Sequence, residues 1–240
     1  MTESTAFLKA TLHMLAPWMR APGEASVPVA AMVPIRTLAP NHRSRILAHL
    51  LALDEHDRYL RFGYTATDEQ VERYVTGLNF ERDEVFGIFN RSLELVAMAH
   101  LAYSTHAATA SCAEFGVSVL KSARGRGYGG RLFERAAMHA RNEGVNMLFI
   151  HALSENSAML RIARKAGATV QRDGSESEAH LQLAAPNLDS RLAQILHEQY
   201  AEADYKLKKQ ARHFWDLLGL MQDVRLSLIH ISEPTRQEAI

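Results

Sequence analysis

The apolar positions change rhythm several times along the chain, and each change marks an element. Phe7, Leu8, Leu12, Leu15, Trp18 and Met19 recur at helical spacing and predict a short amphipathic helix. Pro17, Pro22, Gly23 and Pro28 break that pattern, so residues 1–27 read as a helix followed by a linker. A first strand is expected over 33–38. Residues 41–53 predict a helix with Ile46, Leu47, Leu50 and Leu51 on its apolar face, and a short helical piece carries Asp57 to Phe62. Thr67-Asp68-Glu69-Gln70 has the form of a capping box and should open a helix to about Leu78.

The pattern then turns to continuous apolar runs. Residues 84–89 and 93–104, joined by Asn90-Arg91-Ser92, predict an antiparallel hairpin, and 112–120 a third strand. A helix is expected over 127–143, where Leu132, Ala136 and Ala140 repeat every fourth position and Gly144 follows as a stop. Residues 146–153 read as a strand, 156–165 as a helix ended by Gly167, and two last strands fall near 168–172 and 180–184. This order implies an α/β domain over 28–185, a mixed, mostly antiparallel sheet with helices on both sides. Residues 187–224 predict one long helix, its stripe running through Leu188, Leu192, Ile195, Gln199, Ala203 and Leu207. The polar members of that stripe suggest an arm, a helical extension over 186–225, rather than a core helix.

Composition narrows the partners. Hydrophobic residues are 47% of the 240, enough for a packed core. Lys plus Arg and Asp plus Glu both number 27, so no global charge draws the chain to nucleic acid or an anionic membrane. No apolar run nears the roughly 20 residues that span a bilayer. The single cysteine, Cys112, allows no intramolecular disulfide and fits a reducing compartment; it reads as a half-buried residue at a strand start. A cytoplasmic protein is expected. The twelve histidines are scattered without Cys partners or HxxxH spacing, so no metal is expected. His100 and His151 read as core or cleft residues rather than bases.

The sharpest chemical signal is Arg124-Gly125-Arg126-Gly127-Tyr128-Gly129-Gly130, set between a strand and a helix. Glycines let backbone approach a pyrophosphate, and the first amides of the helix point at it along a favourable dipole. Arg124 and Arg126 add positive charge. Gly-Lys-Ser/Thr is absent, which excludes the nucleoside-triphosphatase loop. Gly125, Gly127 and Gly130 do match GxGxxG, but Leu120-Lys121-Ser122-Ala123-Arg124 intervenes before the first glycine. No acidic residue ends the next strand, and a meander precedes the loop, so a dinucleotide oxidoreductase is a distant reading.

These residues resemble the GNAT N-acetyltransferase superfamily. Arg124, Gly127 and Gly129 meet its Arg/Gln-x-x-Gly-x-Gly/Ala signature, and Asn156 through Lys165 and Gly167 meets its Asn-to-Lys-x-Gly helix. The Met-Leu-x-x-Ala-Arg-Lys form of that helix, with Asp57 to Phe62, is similar to the transferase domain of bacterial protein-lysine acetyltransferases. The resemblance implies the GNAT acyltransferase fold, acetyl-CoA as cosubstrate, and an amine acceptor that is a small molecule or a protein lysine. It implies that the pantetheine arm lies along the strand edge at Val117, Ser118 and Val119. Arg124, Gly125, Arg126, Gly127, Gly129 and Gly130 would hold the pyrophosphate, and Asn156 would bond the arm, cap its helix, or do both.

Amide formation from a thioester needs a neutral amine, a base and a polarised carbonyl, since an ammonium with pKa ~10 has no lone pair. Glu114, in the strand before the loop, is the candidate base, and an N–H around Val117–Val119 the candidate oxyanion donor. Family members often carry a tyrosine at the position of Ala163 to protonate the leaving sulfur, and a phenylalanine at that of Ala168. A thiol of pKa ~8.5 leaves as thiolate with little help. Acceptor contacts are expected from Arg58, Tyr59, Arg61 and Phe62. Two readings stay open, an acetyltransferase and an acyl-CoA-binding module without catalysis. Residues 226–236 resemble a translated sequencing adapter, so 226–240 read as a non-native tail, an ordinary polar tail being the alternative. A homodimer stays open.

Overall fold

The computed structural model describes residues 33–105 and 111–231, with side chains as far as residue 213. The predicted N-terminal helix and linker lie outside the described residues. Seven strands form one sheet in the order β1-β2-β3-β4-β5-β7-β6. They are β1 Arg36–Leu38, β2 Glu84–Phe89, β3 Leu95–Tyr103, β4 Cys112–Val119, β5 Met147–Leu153, β6 Thr169–Asp173 and β7 Glu176–Gln182. All neighbours pair antiparallel except β4 and β5. The helices are α1 Arg43–Leu51, α2 Glu55–Phe62, α3 Asp68–Thr76, α4 Tyr128–Asn142, α5 Ser157–Lys165 and α6 Leu188–Ile231.

Alternation along the strands divides the apolar side chains between two layers. One core joins Phe86, Leu101, Phe115 and Ile150 to Leu132, Phe133 and Ala136 of α4 and Ala163 of α5. The other sets Val85, Leu95 and Met98 against Ile46 and Leu50 of α1 and Val71 and Val75 of α3. Phe115 and Phe133 meet edge to face at 5.0 Å, a geometry that suits the quadrupoles of the two rings. The expected capping box is present: the Thr67 hydroxyl accepts from the Gln70 N–H at 3.4 Å, and the Gln70 side chain accepts from the Thr67 N–H at 2.8 Å.

Two expectations need correction. The last strand begins at Glu176, four residues earlier than expected, and pairs with β6 from Asp173 opposite Glu176. Its polar start, Glu176-Ser177-Glu178, carries no apolar alternation to betray it. The stripe read along α6 is the wrong face. Leu188, Leu192, Ile195, Leu196 and Leu207 are exposed, whereas Ser190 and Ala201 are buried. Tyr205, edge-on to Phe89 at 5.3 Å, and polar contacts dock the helix on another face. Arg135 pairs with Glu198 at 2.6 Å, Arg36 with Glu202 at 3.1 Å, and Lys208 donates to the Phe89 carbonyl at 3.1 Å. The helix also continues to Ile231, past the expected end at 224 and into the adapter-like segment.

Candidate active site

The two edges of β4 are treated differently, and the site follows from that. Toward β3 it pairs from Ala113 opposite Tyr103 to Val119 opposite Ala97. Toward β5 the parallel register runs only from Cys112 opposite Met147 to Glu114 opposite Phe149. Beyond Glu114 that register ends and a gap opens between the strands. The ends of the β3–β4 ladder fix which residues face the gap. Ser104 N–H donates to the Cys112 carbonyl at 3.1 Å and Leu120 N–H to the Val96 carbonyl at 3.0 Å. Bonded pairs alternate along an antiparallel ladder, so Glu114, Gly116 and Ser118 bond toward β3. Val117 and Val119 turn their N–H and C=O groups toward the gap.

The glycine loop closes the end of this gap. Gly125 and Gly127 have φ of +77° and +74°, and Gly127 stands immediately before α4. A side chain at either would be strained in that left-handed region. The turn directs the unpaired N–H groups of the first turn of α4 into a cleft of about 870 Å³. Val117, Ser118, Val119, Arg124, Gly125, Arg126, Gly127, Gly129, Gly130 and Asn156 all line this cleft. Every residue expected to hold the cosubstrate is therefore gathered in one place.

Three of these residues are held by partners. The Ser118 hydroxyl donates to His49 Nε2 at 2.8 Å, because His49 Nδ1–H is committed to the Leu95 carbonyl at 2.9 Å. Burial pushes the His49 pKa down to about 4, so the ring is neutral near pH 7. Asn156 Oδ1 accepts from the Met159 N–H at 3.1 Å, which caps α5 and leaves the amide N–H groups as donors. Arg124 does more than add charge. Its guanidinium pairs with the buried Asp57 of α2 and its Nε donates to the Val119 carbonyl at 3.3 Å, bracing the loop against α2 and β4.

The expected acceptor residues scatter. Arg61 lines the cleft. Tyr59 lines a separate shallow hollow with Asp54, Glu55, His56 and Thr65. Arg58 is spent on structure, donating to the carbonyls of Leu51, Leu53 and Ala66 and pairing with Asp68 at 2.6 Å. Phe62 packs on Tyr74 at 5.3 Å and joins the second core. Glu114 is exposed and not among the cleft-lining residues, but it shares a face of β4 with Gly116, against which Arg61 lies. Ala163 is fully buried in the first core, so no side chain from that position enters the cleft.

Reading the sequence missed several lining residues: Asp57, Tyr128, Arg131, Arg161 and Lys165. Arg161 and Lys165 stand four apart on one face of α5 and had a findable signal, the i, i+4 spacing of two cations beside the Asn156 motif. Asp57 had none, because its partner Arg124 lies far along the chain. His100 forms part of a buried network and His151 is an exposed residue stacked on Phe149 at 6.5 Å. Among the described residues no group of three or more His, Cys, Asp or Glu is placed to hold a metal, and no helix is long and apolar enough to cross a membrane.

A strand pair splayed beside a glycine turn at a helix start defines the acyl-transferase class of site. The comparisons agree with that class. The model of the acetyltransferase (GNAT) domain matches residues 33–169, so the chain belongs to the GNAT acetyltransferase family. Among solved structures it is similar to the GNAT domain of S. lividans PAT, with 21% identity, a TM-score of 0.54, and coverage of 62% of this chain and 89% of that one. An acetyltransferase of the GNAT family from Streptococcus pneumoniae matches at 14% identity and TM-score 0.52, over 62% and 98% of the two chains. An N-acetyltransferase from Staphylococcus aureus Mu50 matches at 16% and 0.51, over the same shares. At these identities the likeness establishes the fold. No curated protein matches.

Proposed function

We propose that the protein is an N-acetyltransferase that moves an acetyl group from acetyl-CoA to a primary amine by direct attack. The observation that carries this reading is the shared cleft: the edge of β4 at Val117 and Val119, paired to no strand, opens onto the turn at Gly125–Gly127 and the start of α4. An extended amide-bearing arm pairs with such an edge as an added strand, and a pyrophosphate suits such a turn. Arg126, Arg131, Arg161 and Lys165 add the positive charge that a polyphosphate needs.

When bound, acetyl-CoA supplies the activated acyl group as a thioester. Val117 N–H donates to the carbonyl oxygen and stabilises the charge that grows there during attack. Glu114 takes a proton from the attacking ammonium, directly or through one water, so that nitrogen presents its lone pair. Nitrogen bonds to the carbonyl carbon, the carbon–sulfur bond breaks, the sulfur departs as thiolate, and the second proton of the nitrogen passes to that thiolate or to solvent water, leaving a neutral amide. With Ala163 in the family's tyrosine position, no phenol from α5 protonates it, and a thiolate is stable enough to leave unaided. Asn156 N–H groups bond the arm while its Oδ1 caps α5.

The test is free-CoA release from acetyl-CoA with a panel of amines: amino acids, their decarboxylated counterparts and lysine peptides. Release that depends on the amine, with a mass shift of one acetyl group on it, is expected. Binding of acetyl-CoA with no release on any amine would overturn the transferase reading and leave a binding module.

A further inference from the structure

We infer that Arg61 is an anion subsite for the acceptor, and that the acceptor is a small primary amine with a carboxylate close to its nitrogen. This rests on the transferase reading, because it concerns the amine side of the same cleft. The first observation is where the guanidinium lies. A Cβ built on Gly116 would stand 2.8 Å from Arg61 Cζ and 2.9 Å from each Nη atom. The cation is laid flat on the strand, and only glycine leaves the room. A glycine inside a strand weakens it, and close approach by another group is a standing reason to keep one.

The second observation is that this position is built. Nη2 donates to the Tyr74 hydroxyl at 2.9 Å, and that hydroxyl donates to His100 Nδ1 at 2.8 Å. His100 Nε2–H faces Asp83 Oδ2 at 3.3 Å. Burial, and then the charge of Arg61, hold the His100 pKa below its usual value, which keeps the ring neutral in the tautomer this chain requires. Burial opposes ionisation of Asp83, but bonds from Arg82 and the Tyr103 N–H outweigh it and keep the carboxylate charged. Phe62 and Tyr74 add ring faces to the guanidinium at 5.2 Å and 5.5 Å. Four side chains from three elements and a loop thus fix one cation at the cleft wall.

The third observation is what the cation lacks. Among the described residues Arg61 has no carboxylate partner, and its Nε is buried without any hydrogen-bond partner. Arg58, three residues earlier on the same helix, has its donors filled by carbonyls and Asp68. A guanidinium whose direct partners are neutral, with donors to spare, matches a planar anion that arrives with the ligand. The cosubstrate's phosphates belong at the glycine turn, on the far side of Val119. Gly116 precedes the oxyanion donor Val117 by one residue, roughly 3.3 Å along a strand. An anion on Arg61 therefore falls beside the attacking nitrogen, as the carboxylate of an α-amino acid does. A long polyamine or an isolated lysine side chain offers nothing there.

The test uses the whole protein and matched pairs, such as phenylalanine against phenethylamine and methionine against its decarboxylated amine. Binding to the CoA-saturated protein is read by calorimetry, and acetylation by CoA release. Amino acids should bind and react at least about tenfold better than their decarboxylated partners, the scale of a charged hydrogen bond. Arg61→Gln should shrink that ratio by roughly tenfold to a hundredfold, Arg61→Lys should restore part of it, and acetyl-CoA affinity should hold in both variants. Tyr74→Phe should raise the KM for the amino acid more than it lowers kcat. Carboxylate-dependent binding without turnover would sink the transferase reading and keep this one. Equal use of both members of each pair, or preference for a lysine peptide, would overturn it, as would an Arg61→Gln protein that keeps the full ratio.

Discussion

The cosubstrate half of the cleft and the acceptor half are built in different ways. The first, as proposed, is made of backbone: the edge of β4 at Val117 and Val119 that no strand pairs, a turn at Gly125–Gly127, and the amides that open α4. The proposed acceptor half rests on side chains drawn from distant segments: Arg61 of α2 at the cleft wall, braced from behind by Tyr74 on α3, His100 on β3 and Asp83 in a loop, with Glu114 of β4 outside the cleft lining. A backbone site must spend glycines at fixed spacing, so one stretch of sequence carries it whole. A side-chain site is brought together only by folding. The two halves should accordingly fail separately.

The largest separation is expected at Glu114. Glu114→Gln keeps size and most hydrogen bonding but cannot accept the proton, so kcat near pH 7 should fall by about 10²–10⁴-fold. Acetyl-CoA affinity should barely move. The defect should narrow at high pH, where solvent deprotonates the amine, and paired pH–rate profiles of the two proteins would read this. Wild-type rates in the variant at pH 7 would remove Glu114 from the mechanism.

Acid should strike the wall under the cosubstrate half. His49 is neutral in the fold with a pKa of about 4, while the unfolded chain binds a proton there below about 6.5. Folding excludes that proton, so stability should decline as pH falls from about 6.5 to 4 and then level off. The loss at this one site is on the order of 3 kcal/mol. Urea-unfolding series at several pH values, wild type against His49→Gln, isolate the contribution from the other histidines. Equal slopes in both proteins would place the acid sensitivity elsewhere.

Gly116→Ala tests the acceptor half more gently. The added methyl meets the movable end of Arg61 rather than backbone, so the chain should fold with Arg61 pushed aside. The KM for a carboxylate-bearing amine should rise about tenfold, the scale of one charged hydrogen bond, with acetyl-CoA affinity held. A rise in the acetyl-CoA KM alone would blur the division between the halves. The smallest effect is expected at Thr67→Ala, which removes the cap of the helix that carries Tyr74 at a cost of about 1 kcal/mol. Thermal unfolding with and without acetyl-CoA should show the same ligand-induced increment in both proteins.

What the sequence made legible follows the same division. The order of elements and the mixed, mostly antiparallel sheet were readable because Ile46, Leu50, Leu132 and Ala136 repeat at helical spacing and the central strands are continuous apolar runs, whereas the strand order and the division into two cores came only with the fold. The glycine turn and Asn156 announced themselves by spacing, and the structure brings all of them to one cleft. Arg58 and Arg61 look alike in sequence. Only the fold shows that one is consumed by Leu51, Leu53, Ala66 and Asp68 while the other keeps free donors. The docking of α6 was misread for a related reason. Apolar periodicity marks a buried face only where a run of apolar contacts does the docking, and here Ala201 and Tyr205 share it with Glu198, Glu202 and Lys208.

The central claim is that the turn before α4 receives the pyrophosphate of acetyl-CoA. Isothermal titration of acetyl-CoA into wild type and Gly127→Asp tests it most directly, with circular dichroism confirming that the variant is folded. The substitution sets a carboxylate where phosphate must meet backbone, and repulsion at contact range is worth several kcal/mol, so affinity should fall at least about a hundredfold. A folded Gly127→Asp protein that binds acetyl-CoA as tightly as wild type would contradict the account.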